Sequence, residues 1–329
     1  MAHTLTENAP LAARTTFRVP AHAAWLAEVR DAGAMPEVLA LPQAAPGVLV
    51  LGEGSNILFT RDFDGLVVHP DIRGIEVLAD GAVRAGAAEN WHAFVRWTLA
   101  RGYAGLENLA LIPGTVGAAP IQNIGAYGTE LEEFVSAVHA YDRVARAQCE
   151  LSRDACAFSY RDSVFKQQRD RYIVTAVEFR LPRERAPVLD YAGVRDELAA
   201  MGVAAPSPTD VADAVERLRR RKLPDPAEVG NAGSFFKNPV VAAEAAERLA
   251  AAFPEMPMWN GKLSAAWLLE QCGFKGARDG DAGFSERHAL VLVNHGSATG
   301  AQLWALAQRA QAEVKQKFGV QLEPEPRVI

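Results

Sequence analysis

The sequence predicts a globular protein of mixed α and β structure, with strands prevailing in the first half of the chain and longer helices in the second. Short apolar runs broken by glycine dominate the region before residue 180, whereas apolar residues at helical spacing dominate the region after 210. The composition, 49% hydrophobic and 22% charged, is that of an ordinary globular chain. A length of 329 residues favours two domains or three.

The strand predictions depend on short apolar runs and one turn signal. The runs at 48–51 and 66–68 are typical of buried strands, and the first ends at Gly52. Two further runs, at 75–78 and 83–85, flank Asp80-Gly81, and Asp-Gly between apolar runs strongly favours a β-hairpin. More strand-like sequence lies at 135–141, 172–179 and 289–293.

The helix predictions combine apolar spacing with capping signals. Apolar residues share one helical face over 91–99, and Gly102 follows where a C-terminal cap belongs. A second helix ends in the basic run 219–222. Two more helices are expected, one from Ser264 to just before Gly273 and one opened by a capping box at 299–302 and ended by Gly319.

Charge and composition exclude several classes of protein. The formal net charge is −6, so bulk attraction to nucleic acid or to an anionic membrane is disfavoured. No apolar run approaches the ~18 residues of a membrane span, and the first residues lack the features of a secretory signal. Three cysteines without CxxC spacing disfavour a disulfide framework and a zinc ribbon and suit a reducing cytoplasm.

The common nucleotide and metal motifs are missing. Gly52-Glu-Gly-Ser-Asn56 begins like a Rossmann fingerprint, but the third glycine would fall at Ile57. No P-loop, HExxH or GxSxG motif occurs, and no two of the seven histidines lie three or four residues apart. The sequence therefore predicts no metal site.

Two separate glycine loops remain, at 52–56 and 113–128. Glycines let backbone N–H groups approach a ligand, and successive N–H groups form a nest for an anion. Either loop alone is more often a tight turn. Together, with their small hydroxyl and amide residues, they favour the pyrophosphate of a dinucleotide.

Three other clusters are richer in functional side chains than packing requires, at 158–166, 222–239 and 322–327. Each has a plain structural alternative. Arg161 could form a surface ion pair of little energetic value, and Glu325 could be a solvated residue near a chain end. The arginines of 219–221 are interpreted as complements to the dipole at a helix C-terminus.

Five motifs in a fixed order carry a resemblance to a known family. They are Gly-Glu-Gly-Ser-Asn at 52–56, Ile-Pro-Gly-Thr-Val-Gly-Ala-Ala-Pro-Ile-Gln-Asn-Ile-Gly-Ala-Tyr-Gly at 112–128, Ser-Tyr-Arg-Asp-Ser at 159–163, Gly-Asn-Ala-Gly-Ser-Phe-Phe-Lys-Asn-Pro at 230–239 and Leu-Glu-Pro-Glu at 322–325. The chain resembles the UDP-N-acetylenolpyruvoylglucosamine reductases from about residue 15 to 327. Any one motif would be weak evidence, whereas five together are specific.

The resemblance implies an α+β fold, with an FAD-binding portion of the vanillyl-alcohol-oxidase (PCMH) type followed by an α+β substrate-binding domain. The implied domains are 1–210, with subdomains at about 1–70 and 71–210, and 211–329, whose extreme C-terminus returns to the active site. Leu189-Asp-Tyr-Ala-Gly193 implies the subtype with an extra tyrosine loop. Thr15 and Thr115 depart from the residues usual in the family and leave the flavin contacts there open.

The implied activity is reduction of UDP-N-acetylglucosamine enolpyruvate to UDP-N-acetylmuramate in cell-wall (peptidoglycan) synthesis, with bound FAD and with NADPH as hydride donor. The implied protein is a cytoplasmic monomer that binds neither nucleic acid nor membrane. Its implied catalytic residues are Arg161, Ser234 and Glu325, and its implied substrate-binding residues are Tyr191, Lys222, Asn238 and His288. The implied FAD contacts are Gly52, Glu53, Gly54, Ser55, Asn56, Pro113, Gly114, Thr115, Gly117, Ala118, Gln122, Asn123, Ile124, Gly125, Ala126 and Tyr127.

The implied roles follow from the chemistry. Arg161 would meet the substrate carboxylate, with Glu325 as its partner, and Ser234 would donate a proton to carbon. Two alternatives remain open. The first is another FAD-dependent oxidoreductase on the same fold, which would not explain the presence of Ser234 and the C-terminal motif. The second is a non-catalytic module that binds a nucleotide sugar, which would not explain why all three catalytic side chains are present.

Overall fold

The computed structural model describes residues 1–259 and 261–329. Its strands are β1 His3–Pro10, β2 His22–Val29, β3 Val48–Val50, β4 Ile57–Leu58, β5 Phe63–Pro70, β6 Ile75–Val77, β7 Val83–Gly86, β8 Gly125–Ala126, β9 Thr129–Glu130, β10 Val135–Asp142, β11 Ala147–Ser152, β12 Tyr172–Phe179, β13 Gly230–Ser234, β14 Met258–Trp259, β15 Lys262–Leu263, β16 Arg278–Asp279, β17 Ala282–Phe284, β18 Val291–Asn294 and β19 Arg327–Val328. Its α-helices are α1 Met35–Leu39, α2 Trp91–Leu99, α3 Val164–Gln167, α4 Val194–Ala200, α5 Pro208–Lys222, α6 Ala243–Ala252, α7 Ala265–Gln271 and α8 Gly300–Phe318.

The chain divides into two compact units. Unit 1 comprises Met1–Ala9, Ala23–Glu53 and Asp64–Arg219, and unit 2 comprises Pro10–His22, Gly54–Phe63 and Arg220–Ile329. Each unit therefore contains segments that are distant in sequence. The implied functional domains, 1–210 and 211–329, stay a prediction.

Unit 1 contains two main sheets. One has the strand order β1-β2-β5-β3, with β3 parallel to β5. The other has the order β11-β10-β12-β7-β6 and is antiparallel throughout. Helices α2 and α5 contribute to a core with this second sheet, in which Trp91, Phe94 and Phe179 are fully buried. The indole N–H of Trp91 donates to the Leu109 carbonyl at 2.9 Å, so the polar atom of this buried ring is satisfied.

Unit 2 is built around the antiparallel sheet β13-β18-β17-β16. The early segment Pro10–His22 belongs to this unit, and Phe17 lies edge-on to Phe235 with ring centroids 6.1 Å apart. The last strand, β19, pairs with β4 in parallel register. The end of the chain is thereby tied to the segment that follows the first glycine loop.

The local sequence signals are confirmed. Strands β6 and β7 pair across Asp80-Gly81, and Gly81 has φ +83°. The capping box at the start of α8 forms as predicted, and Gly319 ends that helix with φ +71°. Ser264 caps α7. The strand expected at 289–293 begins two residues later, at Val291.

In the described parts of the chain, no helix is both long enough and apolar enough to cross a membrane.

Candidate active site

The second glycine loop, 113–128, packs tightly inside unit 1. The Gly117 N–H donates to the Ala87 carbonyl at 3.0 Å. A Cβ added at Gly117 would lie 2.6 Å from the Ala87 Cβ. A Cβ at Gly52, in the same unit, would lie 3.1 Å from the Thr115 Oγ1. Other protein atoms therefore fill the space beside both glycines.

The residues of the first loop that belong to unit 2 are Gly54, Ser55 and Asn56. Gly54 has φ +61°, and a Cβ there would lie 2.3 Å from the Arg14 carbonyl oxygen. A side chain at either glycine would therefore clash with the protein itself. At both Gly54 and Gly117 the obstacle is protein, since another part of the chain passes within van der Waals range.

The first loop nevertheless offers free donors. Within the described residues, the N–H groups of Gly54, Ser55 and Asn56 donate no backbone hydrogen bond. The Thr15 side chain is buried beside Gly54, and its Oγ1 has no partner among the described atoms. Buried polar groups are normally paired, so this hydroxyl is available to a ligand. Successive N–H groups and a nearby hydroxyl suit a diphosphate, and these residues therefore fit FAD.

Arg161 lies against the second loop, within unit 1. Its Nη2 donates to the Gly125 carbonyl at 2.6 Å, and its backbone is left-handed, with φ +55°. The Lys166 ammonium donates to the Arg161 carbonyl at 2.9 Å and to the Gln122 side chain at 3.2 Å. The Ser163 hydroxyl donates to the Ile121 carbonyl at 2.6 Å. The 159–163 motif and the loop are thus joined by several hydrogen bonds, as a shared site requires.

Tyr191 is an exposed candidate site residue of unit 1. The residue is 49% exposed, and its ring stands edge-on to that of Tyr127, with centroids 5.1 Å apart. Gly193, with φ +92°, ends the tyrosine loop and precedes α4. The phenol is therefore presented to solvent beside a residue of the predicted flavin loop.

Ser234 stands at an irregularity of the unit 2 sheet. Asn231 pairs with Val293, but Ser234 pairs with Val291, so β13 contains one residue more than its partner. Gly233 has φ +69°, and its N–H donates to the Asn231 side chain at 2.9 Å. A bulge of this kind redirects the following side chain. Ser234 is half-buried, and its hydroxyl bonds to none of the described residues.

Glu325 lies on the chain segment beside Ser234. Its N–H donates to the Phe235 carbonyl at 2.8 Å, and the Lys237 N–H donates to the Glu323 carbonyl at 2.9 Å. The Asn56 amide donates to the Glu325 carbonyl at 3.3 Å. Within unit 2, these hydrogen bonds therefore connect residues of three family motifs, those at 52–56, 230–239 and 322–325.

The remaining candidates of unit 2 are Lys222, Asn238 and His288. The Asn238 Oδ1 accepts from the Ala265 N–H at 3.0 Å, which fixes the amide with its NH₂ group still available. The His288 Nδ1 accepts from the Leu290 N–H at 3.2 Å. Burial, and then the positive charge of Lys222, lower the pKa of His288 below its ordinary value. His288 is therefore a neutral hydrogen-bonding group near a cation.

The arginines at 219–221 were predicted to complement a helix end, and Arg219 makes a further contact. They do lie in the last turn of α5. In addition, the Arg219 Nε donates to the carbonyl of Leu111 at 3.2 Å, and Leu111 has φ +58°. Arg219 thus holds the residue that precedes the 112–128 motif. Sequence reasoning missed this contact because nothing local links the two positions.

Comparisons with known proteins agree with this picture. Residues 24–148 match the model of an FAD binding domain, and residues 225–329 match that of the UDP-N-acetylenolpyruvoylglucosamine reductase C-terminal domain. The reductase of Xanthomonas campestris pv. campestris strain B100 is 55% identical, over 99% of this chain and 96% of its own. That of Xanthomonas oryzae pv. oryzae strain PXO99A is 53% identical over the same shares.

One solved structure extends the agreement to the fold. The crystal structure of the UDP-N-acetylenolpyruvylglucosamine reductase from Thermus caldophilus aligns with a TM-score of 0.70 and 24% identity, over 99% of this chain and 98% of that one.

The FAD binding domain, together with the 55% identity to a named reductase, defines the chain as an FAD-dependent oxidoreductase. The expected fold class and bound flavin are thereby confirmed. The identity of 55% over nearly the whole chain is more specific, and the chain belongs to the UDP-N-acetylenolpyruvoylglucosamine reductase family.

Proposed function

We propose that Arg161, Ser234 and Glu325 act on the enolpyruvyl group when this enzyme reduces UDP-N-acetylglucosamine enolpyruvate to UDP-N-acetylmuramate with NADPH. The observation that carries the proposal is the pairing within unit 2. The Glu325 N–H donates to the carbonyl of Phe235, the residue after Ser234, so a serine hydroxyl and a carboxyl residue lie on neighbouring chain segments. The glycine bulge before Ser234 supports a functional position for that hydroxyl.

Bound FAD supplies the hydride chemistry, from NADPH to the terminal carbon of the enolpyruvyl double bond. We assign its retention to the N–H groups of 54–56, to the Thr15 hydroxyl and to the loop 113–128. The free donors and the orphaned hydroxyl of unit 2 support this assignment. The protein's part is then to hold the substrate and to manage charge and protons.

Arg161 stabilises the charge that develops on the carboxylate side of the double bond. A guanidinium meets a carboxylate in a planar fork, and such charge-assisted hydrogen bonds are strong. The bond from Nη2 to the Gly125 carbonyl restricts the orientation of the group. An orientation set before substrate binds needs little reorganisation during the reaction.

Ser234 donates the proton to the carbon next to the carboxylate. In the described structure its hydroxyl is not held by another side chain, so it can turn toward substrate. A serine hydroxyl is a weak acid, and it must regain its proton from a neighbour or from water. Glu325 assists from the adjacent segment by holding a proton at the carboxylate side of the substrate.

Four residues are assigned to the UDP portion of the substrate. Lys222 supplies a positive charge, and Tyr191 and the Asn238 NH₂ supply donors for diphosphate oxygens. His288, neutral because burial lowers its pKa, supplies a polar contact near Lys222.

Tyr191→Phe is expected to weaken substrate binding by about 1–2 kcal/mol, because it removes one hydrogen bond to a charged acceptor. This corresponds to a rise of about 5- to 30-fold in the substrate dissociation constant. Titration of the holoenzyme with substrate measures it. Tyr172→Phe, a half-buried tyrosine packed on Phe165 in the same unit, is the matched control. An unchanged constant for Tyr191→Phe would show that the phenol does not bind the diphosphate.

The assigned reaction is tested by the colour of the flavin without oxygen. NADPH should bleach the yellow holoenzyme, and UDP-N-acetylglucosamine enolpyruvate should restore the colour. UDP-N-acetylglucosamine, which lacks the double bond, should not. Recovery with neither compound would indicate a different FAD-dependent oxidoreductase, and a colourless protein that binds the nucleotide sugar would indicate a non-catalytic module.

The proposal includes a cytoplasmic monomer. Three cysteine residues present as free thiols in the described structure support a reducing compartment. Size-exclusion chromatography with light scattering measures the oligomeric state.

A further inference from the structure

Asn108 is a buried polar residue with no role in the proposed reaction. It is 1% exposed and sits in a short helical turn, Glu107–Leu109. Its Nδ2 donates to the Tyr127 carbonyl at 2.9 Å and to the Val188 carbonyl at 2.9 Å. Its Oδ1 has no hydrogen-bond partner among the described residues. An unpaired buried acceptor is unfavourable, so the structure tolerates a cost in order to keep the two donated bonds.

The two carbonyls belong to two segments of the site in unit 1. Tyr127 is the last predicted FAD contact of the loop 113–128 and has a left-handed backbone, with φ +48°. Val188 lies three residues before Tyr191 in the tyrosine loop. The segments also touch directly, since a Cβ at Gly128 would lie 3.1 Å from the Val188 Cγ1 and the Tyr127 and Tyr191 rings are in edge contact. Asn108 is the buried link between them.

Two ion pairs along the tyrosine loop are more exposed than the Asn108 bonds. Arg185 pairs with Glu133 at 2.6 Å, and Arg195 pairs with Asp190 at 2.6 Å. The Asp190 side chain is 89% exposed, so salt and water weaken this pair. A buried amide that donates to two carbonyls is screened far less and has a fixed geometry.

We propose that Asn108 is a positioning residue that acts through Tyr191. By holding the Tyr127 and Val188 carbonyls with one NH₂ group, it sets the tyrosine loop against the flavin loop and places the Tyr191 phenol for the substrate diphosphate. This inference rests on the proposed role of Tyr191.

Asn108→Asp tests the proposal, because aspartate has the same shape but no NH₂ donor. In the holoenzyme, the substrate dissociation constant should rise about five- to tenfold, the equivalent of one lost hydrogen bond. The effect should appear in KM more than in kcat. In a Tyr191→Phe background the same substitution should change the constant by less than about twofold, because the two residues act as one.

Limited trypsin digestion gives a readout that does not depend on activity. Cleavage at Arg185 should be faster in Asn108→Asp than in the wild type, and unchanged in Tyr191→Phe, which keeps both Asn108 bonds. Asn108→Ser, which is smaller and retains one donor, takes the same tests if the aspartate variant does not fold.

Three results would overturn the proposal. The first is an effect of Asn108→Asp on the dissociation constant that is fully additive with Tyr191→Phe, and the second is wild-type trypsin sensitivity. The third is that Asn108→Asp weakens substrate binding whereas Tyr191→Phe does not, because Asn108 would then act without Tyr191. A fourth result would refute the proposed role of Tyr191 instead. In that case neither Tyr191→Phe nor Asn108→Asp changes substrate binding, but Asn108→Asp is still cleaved faster at Arg185. The link between the two loops would then stand.

Discussion

Ser234→Ala is expected to slow reoxidation of the reduced flavin by the enolpyruvyl substrate by at least ~10²–10⁴-fold, the usual contribution of general acid catalysis. Alanine cannot deliver a proton to the carbon next to the carboxylate, so charge formed there after hydride addition is not neutralised. FAD content, substrate binding and reduction by NADPH should stay close to wild type, because these steps need no proton from Ser234.

Anaerobic stopped flow separates these steps. The flavin is first reduced with NADPH, the substrate is then added, and reoxidation is followed by the return of visible absorbance. Ser297→Ala, an exposed serine of the same unit, is the matched control and should behave as wild type. Reoxidation of Ser234→Ala at the wild-type rate would mean that the serine is only a loop residue and that the proton comes from elsewhere.

Gly117→Val is expected to fold poorly or to purify without flavin. A Cβ at this position lies 2.6 Å from the Ala87 Cβ and 2.9 Å from its Cα, so backbone must move to admit it. Overpacking of this kind costs typically about 1–3 kcal/mol, and a branched side chain enlarges the clash. The displaced loop is the one predicted to hold FAD, so stability and flavin occupancy should fall together.

The ratio of FAD to protein after purification and the thermal midpoint measure this effect. Gly33→Val is the matched control, because Gly33 is exposed and its added Cβ would meet only the side chain of Asp31, at 3.3 Å. Full flavin occupancy and a wild-type midpoint in Gly117→Val would show that the loop tolerates displacement.

Elements with strong local signals could be predicted from the sequence. The capping box of α8 and the Asp-Gly hairpin depend on residues within a few positions of one another. Helices α4 and α6 were not predicted, because such local signals are missing there. Neither has a side-chain hydrogen bond at its N-cap, since Gly193 and Ala242 occupy those positions. Strand β1 was missed because most of its residues are polar or exposed, without the alternation that marks a half-buried strand.

The site was predictable as a set of motifs but not as an arrangement. The motifs named Ser234 and Glu325, yet the hydrogen bond between their segments joins residues about ninety positions apart. The link through Asn108 likewise depends on two carbonyls distant in sequence, and backbone carbonyls leave no signature in a side-chain pattern. Gly117 could be named as an implied FAD contact, but its close packing against Ala87 could not be predicted.

The configuration of the product formed in D₂O tests most directly the claim that a fixed serine delivers the proton. The wild-type enzyme should give UDP-N-acetylmuramate with one deuterium on the carbon next to the carboxylate and a single configuration there, because the donor reaches one face only. A mixture of configurations at that carbon, or hydrogen in place of deuterium, would contradict the account.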